Sequence, residues 1–233
     1  MKVAVLSDIH GNYYALEAVL KMVVKEKISK LLILGDFVGY YYYPDKVLRL
    51  LANWDYTFIR GNHEVLLYQL TKQEISEPEL CFKYGSGHRM AMEKLTEKEM
   101  KKLLTAPDKH EVILNGINIL MCHGSPWDMN QYIYPDSHTE LLEKCAFSNF
   151  DFVLIGHSHY PFVYQTKTST LINVGSVGQS RYMGGVANWT VINTENKCIE
   201  MKSTDYDVRS LLKEIEQTDP HMNYMKEILM RNT

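Results

Sequence analysis

The sequence predicts an α/β fold in which two β-sheets pack together and helices cover their outer faces. The first half of this chain of 233 residues alternates apolar strand-like runs with amphipathic segments, as βαβ units do. The second half consists mainly of short strand-like runs. Because this length suits one domain with a sizeable core, we predict a single domain over residues 1–233.

The chain opens with a buried strand that is followed at once by acid and imidazole groups. Residues 3–6 form a continuous apolar run, which indicates a strand covered on both faces. Asp8 and His10 follow, and side chains two positions apart leave the same face of an extended segment. We therefore expect both to point into one volume at the carboxyl end of the strand, where open α/β sheets place their sites.

A crossover helix and a second strand come next. Residues 13–28 carry an apolar stripe at helical spacing, formed by Leu16, Val19, Leu20, Val23 and Val24. Residues 31–34 form the second strand, which ends in Gly35 and Asp36. The tyrosines at positions 40–43 follow, and we interpret them as a packed aromatic loop, a subunit contact or a surface that stacks on a substrate base.

The third strand leads into a segment of different character. A short helix over residues 45–52 precedes the strand 56–59, which ends in Gly-Asn-His-Glu at positions 61–64. Residues 65–104 are rich in Met, Glu and Lys, and we predict helices that cap the site. Thr96 and Glu99 have the spacing of a capping box.

The second half begins with a hairpin. Asn115 and Gly116 join two strand-like runs in a two-residue turn that requires positive φ, and the second run ends at His123. A helix over 136–147 precedes a strand over 152–155, which ends in Gly-His-Ser-His. The remaining predicted elements are strands over 162–165, 170–174, 187–193 and 198–203 and an amphipathic helical tail over 205–233.

Five predicted strands thus end in residues that can bind a metal ion, which excludes chance as an explanation. These residues are Asp8, His10, Asp36, Asn62, His63, His123, His157 and His159. The remaining histidines lie in polar segments and are predicted to be solvated surface residues, namely His88, His110, His138 and His221.

This donor set favours borderline divalent ions. Carboxylate, imidazole and amide ligands suit Mn²⁺, Fe²⁺, Zn²⁺ or Ni²⁺ better than Mg²⁺ or Ca²⁺, which prefer oxygen shells. Without His63 the set contains seven ligands, which are too many for one ion and suit two, with Asp36 as the natural bridge. Two ions about 3.5–4 Å apart can share a hydroxide and hold the atoms of an in-line displacement. His63 is then free to protonate the leaving oxygen.

The ordered motifs resemble those of the calcineurin-like metallophosphoesterase family over nearly the whole chain. They read Asp-x-His, Gly-Asp, Gly-Asn-His-Glu, His-Gly and Gly-His-x-His, and the Asn-x-Gly-Ser segment at 173–176 looks like that of the small prokaryotic phosphodiesterase branch. The resemblance implies a four-layer α/β/β/α sandwich with a dinuclear site between the sheets. It implies that one ion is held by Asp8, His10, Asp36 and His159, that the other is held by Asp36, Asn62, His123 and His157, and that His63 is the catalytic histidine.

Two departures from the family pattern bear on the substrate. Protein phosphatases and symmetrical diadenosine tetraphosphatases of the family carry an Arg where this chain has Tyr40. The protein phosphatases also carry an Asp that orients the catalytic histidine where this chain has Gly39. Without the fixed guanidinium the grip on a phosphate dianion weakens, which disfavours a protein phosphatase. The candidate substrate-binding residues are Asn12, Tyr40, Arg60 and Arg181, with a structural pairing role equally open for Arg60.

We predict a two-metal phosphodiesterase, with Mn²⁺ preferred, that acts on a small phosphodiester or nucleotide-type substrate. The alternative is an asymmetric dinucleoside polyphosphate hydrolase, whose base the tyrosine loop could stack. A scaffold that kept the fold but lost its chemistry would lack at least one metal-ligand residue. All the expected ligand residues are in the sequence, which disfavours such a scaffold. Amidohydrolases and metallo-β-lactamases begin with His-x-His motifs instead, and the net charge of −3 disfavours a nuclease.

Bulk properties predict a cytoplasmic protein without a membrane segment. The sequence has no run of about 18 apolar residues. Its four cysteines show no pairing pattern, and Cys122 is predicted to point into the core rather than to bind metal. The tyrosine loop and the tail from Asp205 are candidate contacts if the chain forms a homo-oligomer.

Overall fold

The structure is a computed structural model that describes residues 1–146 and 149–232. Within those ranges the strands are β1 (Lys2–Leu6), β2 (Lys30–Ile33), β3 (Asp55–Phe58), β4 (Lys109–Leu114), β5 (Ile117–Cys122), β6 (Phe152–Ile155), β7 (Phe162–Gln165), β8 (Thr170–Asn173), β9 (Val186–Asn193) and β10 (Cys198–Asp205). The helices there are α1 (Tyr13–Lys25), α2 (Pro44–Leu51), α3 (Asn62–Thr71), α4 (Glu77–Tyr84), α5 (Gly87–Lys94), α6 (Glu97–Leu104), α7 (Thr139–Cys145), α8 (Val208–Thr218) and α9 (Asn223–Leu229). The predicted last residues of the helix 136–147 and of the tail, Phe147 and Thr233, lie outside the described residues.

Two mixed five-stranded sheets form the centre of the fold. The first has the order β10-β9-β1-β2-β3, and the second has the order β4-β5-β6-β8-β7. Three adjacent strands of each sheet are parallel, with β1 beside β2 and β2 beside β3 in the first sheet, and β5 beside β6 and β6 beside β8 in the second. Parallel strands end at one edge, so the polar residues that follow them are brought to one place.

Strand β1 shows why its sequence is apolar at every position. Val3 and Val5 face the second sheet in a cluster that includes Met121. Ala4 and Leu6 belong instead to the cluster that holds helix α1. Because both faces of the strand are buried, apolar residues do not alternate with polar ones. The four-layer α/β/β/α prediction is confirmed.

Helices cover the outer faces as predicted, with one wrong assignment. In α1, Leu16, Val19, Leu20 and Val23 are buried, but Val24 is 61 % exposed. At 3.6 residues per turn Val24 lies about 80° from Leu16 around the helix, at the edge of the apolar stripe. Helix α7 covers the second sheet, and Cys122 is buried in that core as predicted. No described helix is long and apolar enough to cross a membrane.

The tyrosine loop is a packed aromatic loop. Tyr41 and Tyr42 are buried against α8 and α9, in a cluster that includes Leu211, Ile215 and Met225. The two segments predicted as candidate subunit contacts therefore bury each other within one chain.

Candidate metal centre

The structure brings all eight predicted site residues to the carboxyl ends of β1, β2, β3, β5 and β6, between the two sheets. The backbone that delivers them differs from the extended path predicted for Asp8 and His10. These two residues have φ values of 53° and 51°, and Asp36, His157 and His159 also have positive φ. Such left-handed residues cost about 1–3 kcal/mol each and cluster at functional sites. The convergence of Asp8 and His10 thus comes from a tight turn after β1.

Two glycines allow the carboxylates to approach the backbone. A Cβ atom at Gly61 would lie 2.2 Å from Asp36 Oδ1, and one at Gly156 would lie 2.5 Å from Asp8 Oδ2. In the space so left, the His63 backbone N–H donates to Asp36 Oδ1 at 2.9 Å and the His157 N–H donates to Asp8 Oδ2 at 3.0 Å. One oxygen of each carboxylate is therefore held by backbone, and the other points into the site.

The side chains form three buried groups with the spacing of metal ligands. Within each group the donor atoms lie within 4.8 Å of one another. The groups are Asp8, His10 and His159; His10, Asp36 and His63; and Asp36, His123 and His157. Asp36 Oδ2 lies 3.8 Å from His10 Nε2 and 3.3 Å from His123 Nε2, so this carboxylate reaches both ends of the site.

The hydrogen bonds of three histidines show that the site suits a cation. Nδ1 of His10, His123 and His159 lies 2.7–2.9 Å from the backbone carbonyls of Val38, Leu34 and Gln179, respectively. A carbonyl only accepts, so each Nδ1 carries a proton, and each ring in its neutral form turns a lone pair at Nε2 into the site.

These lone pairs face other acceptors. His10 Nε2 lies 3.2 Å from His159 Nε2, which lies 3.1 Å from Asp8 Oδ1. Asp8 Oδ1 has no hydrogen-bond donor among the described residues. Converging acceptors without donors repel one another unless a cation lies between them, so the residues present fit divalent metal ions.

His157 and Asn62 complete the set in different ways. His157 Nε2 lies 3.1 Å from the Asn130 carbonyl, so its free lone pair is at Nδ1 rather than Nε2. Asn62 Oδ1 lies 2.9 Å from His123 Nε2 at the first turn of α3.

Comparison with known proteins agrees with this geometry. The profile of the calcineurin-like phosphoesterase superfamily domain matches residues 1–197. The chain belongs to the calcineurin-like phosphoesterase superfamily. It is 29 % identical over 231 residues to an uncharacterized protein of Methanocaldococcus jannaschii, with 91 % of each chain covered.

Solved structures show the same fold. A hypothetical protein from Pyrococcus horikoshii OT3 superimposes with a TM-score of 0.85 at 22 % identity, covering 100 % of this chain and 98 % of that one. A metallophosphoesterase from Sphaerobacter thermophilus gives a TM-score of 0.75 at 21 % identity, covering 93 % and 94 %. The predictions of the family and of a metal-dependent phosphoric ester hydrolase are confirmed.

Protonation of His123 in this phosphoesterase competes with metal binding. Burial lowers the pKa of His123, but the Asp36 and Asp8 carboxylates outweigh it and raise the pKa to about 10. Burial instead lowers the pKa of His10 and of His157 to about 4, so both are neutral at pH 7. Below pH 10 a proton therefore occupies the His123 nitrogen that a cation needs.

We predict that Mn²⁺ binding releases about one proton per chain near pH 7 and weakens as pH falls, by about tenfold per pH unit for one displaced proton. Titration calorimetry in two buffers of different ionisation enthalpy measures this release. An affinity that does not change between about pH 6.5 and 8 would contradict the assignment of the proton to His123.

Glu64 organises the loop around Asp36, a role the sequence analysis did not assign. The backbone N–H groups of Gly61, Asp36 and Phe37 donate to its buried carboxylate at 2.8 Å each, and that of Val38 donates at 3.3 Å. Burial and the Asp36 charge raise the pKa of Glu64 to about 7, against the pull of these donors. The spacing of Gly61 and Glu64, that of a capping box, was the available signal.

Glu64→Gln should lower the free energy of unfolding by about 2–4 kcal/mol at about pH 8, because an amide replaces one acceptor with a donor and leaves buried N–H groups unpaired. Glu99→Gln is the matched control, since Glu99 accepts the Thr96 N–H at an exposed capping box on α6. It should cost about 1 kcal/mol or less. Urea unfolding measures both, and equal losses would refute the role of Glu64.

One histidine prediction is wrong. His110, His138 and His221 are exposed as predicted, but His88 is 1 % exposed and lies beside the site. His88 Nε2 is 3.3 Å from His63 Nδ1. Burial lowers the pKa of His88 to about 4, so its ring is neutral. The polar sequence around it gave no sign of burial because α5 is covered by neighbours that are distant in the chain.

The four candidate substrate-binding residues occupy different surroundings. Asn12 is fully buried and caps α1 through Oδ1, while its Nδ2 donates to the Gly178 carbonyl at 2.8 Å. Arg60 Nε pairs with Asp108 at 2.5 Å, and its Nη1 donates to the Leu104 carbonyl at 3.2 Å. Tyr40 is 6 % exposed, with its ring 4.8 Å from that of His10.

Arg181 is charged and, unlike Arg60, has no acidic partner among the described residues. Arg181 lies near the site. Burial lowers the pKa of His159, and the positive charge of Arg181 lowers it further. Arg181 Nε is buried without an acceptor from the described chain. The guanidinium carbon is 5.9 Å from the ring of Tyr132, which itself lies 4.2 Å from the ring of His157.

Proposed function

We propose that this phosphoesterase is a dinuclear phosphodiesterase that hydrolyses a small phosphodiester or nucleotide-type substrate, with Mn²⁺ as the preferred ion. The reach of Asp36 into both ends of the site carries this proposal. Asp8, His10, Asp36 and His159 would hold one ion. Asp36, Asn62, His123 and His157 would hold the other.

Ions bound there would polarise a phosphoryl oxygen and lower the pKa of water, which supplies the nucleophile at neutral pH. The protein residues supply the rest. His63 lies at the edge of the set, with its ring 4.8 Å from that of His10 and its Nδ1 directed to His88. Its Nε2 is thus the nitrogen available to donate a proton or hydrogen bond to the leaving oxygen.

Arg181 supports a diester rather than a monoester. A phosphodiester carries one negative charge, whereas a monoester dianion carries about two at neutral pH. Tyr40 stands where protein phosphatases and symmetrical diadenosine tetraphosphatases of the family carry an Arg, and Arg60 is paired with Asp108. The Arg181 guanidinium, which has no acidic partner among the described residues, therefore matches the monoanion better.

The dinucleotide alternative has less support from the tyrosine loop than from a ring elsewhere beside the site. Tyr41 is fully buried and Tyr42 is 3 % exposed, so neither ring offers a face to a base, while Tyr43 is half-buried. The exposed ring beside the site is that of Tyr132, at 45 % exposure. A base could stack there, and dinucleoside polyphosphates therefore belong among the substrates to be screened.

We further propose that residues 1–233 act as one domain and that residues 65–104 cap the site. The ring of Tyr84, at the end of α4, lies 4.8 Å from the ring of His63. Together with His88 of α5, this segment forms one wall of the space above the carboxylates.

The proposal predicts that bis-p-nitrophenyl phosphate is cleaved faster than p-nitrophenyl phosphate in the presence of Mn²⁺, with the Asp36→Asn variant as the blank. Release of p-nitrophenolate measures both reactions. Arg181→Met should raise KM for the diester by about 10–100-fold through loss of one charged hydrogen bond of about 1.5–3 kcal/mol. A preference for the monoester would refute the diesterase and favour a phosphatase.

A further inference from the structure

His88 lies where nothing in the proposed metal chemistry requires a histidine. Its ring is almost parallel to that of His63, at 9°, with centroids 5.0 Å apart and His88 Nε2 3.3 Å from His63 Nδ1. We propose that His88 is a positioning residue, which fixes the ring of His63 and determines which nitrogen of His63 carries the proton. This proposal rests on the catalytic role proposed for His63.

Two glycines allow α5 to bring His88 this close. A Cβ atom at Gly39 would lie 2.1 Å from His63 Nδ1, so no side chain can reach that nitrogen from position 39. A Cβ atom at Gly87 would lie 2.5 Å from the carbonyl carbon of Gly39 and from Tyr40 N. The first turn of α5 therefore packs directly on the loop after β2, and the next residue of the helix supplies the partner for Nδ1.

The hydrogen-bond inventory sets the direction of the contact. His88 Nδ1 is buried and makes no hydrogen bond with any described residue. If His63 donated from Nδ1, the neutral His88 would keep its own proton on Nδ1, and a buried N–H would lack an acceptor. If His88 Nε2 donates instead, Nδ1 is an unpaired acceptor, which costs less than an unpaired N–H. The second arrangement is favoured, and it leaves the proton of His63 on Nε2.

His88 is itself held from the far end of the chain. The backbone N–H and Oγ of Ser86 donate to the buried carboxylate of Asp219 at 2.9 and 2.7 Å. Asp219 follows α8, so the helical tail fixes the start of α5. Tyr84 packs edge-on against both rings, with centroids 4.8 Å from His63 and 5.9 Å from His88. These contacts restrict the imidazole pair to one arrangement.

If His88 positions His63, its loss matters most where the leaving group needs a proton. Diphenyl phosphate expels a more basic phenolate than bis-p-nitrophenyl phosphate does. We expect His88→Leu to lower kcat for diphenyl phosphate by roughly 10–100-fold, the usual scale for groups that orient a site residue, with KM changed by less than about twofold. The loss with bis-p-nitrophenyl phosphate should be smaller.

The experiment is a double-mutant cycle of His88→Leu and His63→Ala, with kcat and KM measured for both diesters. In the His63→Ala background, His88→Leu should change kcat by less than about twofold, because a positioning residue acts only through its partner. His88→Gln should recover part of the activity, since its amide can donate to Nδ1. Bound Mn²⁺ and thermal unfolding are measured first, and His88→Asn, whose amide is too short to reach, replaces His88→Leu if that variant unfolds.

Equal losses in the two backgrounds, or a His88→Gln variant as slow as His88→Leu, would overturn the positioning role and leave His88 as a packing residue. A loss in kcat that is the same for diphenyl phosphate and for bis-p-nitrophenyl phosphate would also overturn the positioning role. A wild-type protein that cleaves neither diester with Mn²⁺ would instead refute the proposed function. The two failures are therefore distinguishable.

Discussion

Asp36→Asn should abolish most of the Mn²⁺-dependent activity, with a loss in kcat/KM of roughly 10³-fold or more. Metal ions contribute several kcal/mol of transition-state stabilisation, and each 1.36 kcal/mol is tenfold in rate. Asp36 Oδ2 is the oxygen that approaches both His10 and His123, at 3.8 and 3.3 Å. An amide in its place removes the negative charge that both ions would share. Bound Mn²⁺, measured by elemental analysis, should fall in parallel.

Asp55→Asn is the matched control for this substitution. Asp55 is exposed on β3 and pairs with Lys30 at 3.0 Å, so its replacement should leave kcat/KM and metal content unchanged. Full metal content together with full activity in Asp36→Asn would show that the ions do not share this carboxylate. Loss of folding, seen by circular dichroism, would be attributed to the hydrogen bond from the His63 backbone N–H.

His63→Ala should lower kcat by roughly 10²–10⁴-fold while the bound metal is retained, which is the usual scale of help from a general acid. Retention of the metal is the decisive part of this test, because His63 lies in one of the three groups of possible metal ligands, with His10 and Asp36. His110→Ala, at an exposed position on β4, is the control and should be silent. A His63→Ala variant that loses an ion would show that His63 is a ligand and that the catalytic role belongs to another residue.

The strands and the convergence of the polar residues that follow them could be predicted because each depends on local sequence. A strand buried on both faces must be apolar throughout, so β1 and β6 are visible as continuous runs ended by polar residues. Parallel order then places those ends at one edge, which is why residues as distant as Asp8 and His159 could be expected together. The predicted capping box at Thr96 and the hairpin turn at Asn115 are confirmed for the same reason.

The errors concern features that depend on contacts between distant segments. His88 is buried because α5 packs on the loop after β2 and is held by Asp219, and neither contact leaves a periodic pattern. The tyrosine loop was interpreted as packed, as a subunit contact or as a stacking surface, and only the contacts with α8 and α9 show that it is packed within the chain. Glu64 was visible within the third motif, but its role becomes clear only from the donors that surround it, most of which lie on the loop after β2.

Backbone conformation was the other source of error. The turn after β1 places both Asp8 and His10 at positive φ, which the strand-like pattern of the sequence does not indicate. Asp and His tolerate this region better than branched residues do, so the ligand residues themselves permit the turn. The same left-handed conformation recurs at Asp36, His157 and His159, and it is therefore a shared property of the loops that build the site.

The central claim is that two ions per chain support phosphodiester hydrolysis. The most direct test is to titrate metal-free protein with Mn²⁺ and to follow bound ions and bis-p-nitrophenyl phosphate hydrolysis in the same samples. We predict that activity saturates when two equivalents are bound per chain and that Asp36→Asn binds fewer. Activity that is complete at one equivalent, or that persists in the presence of a chelator, would contradict it.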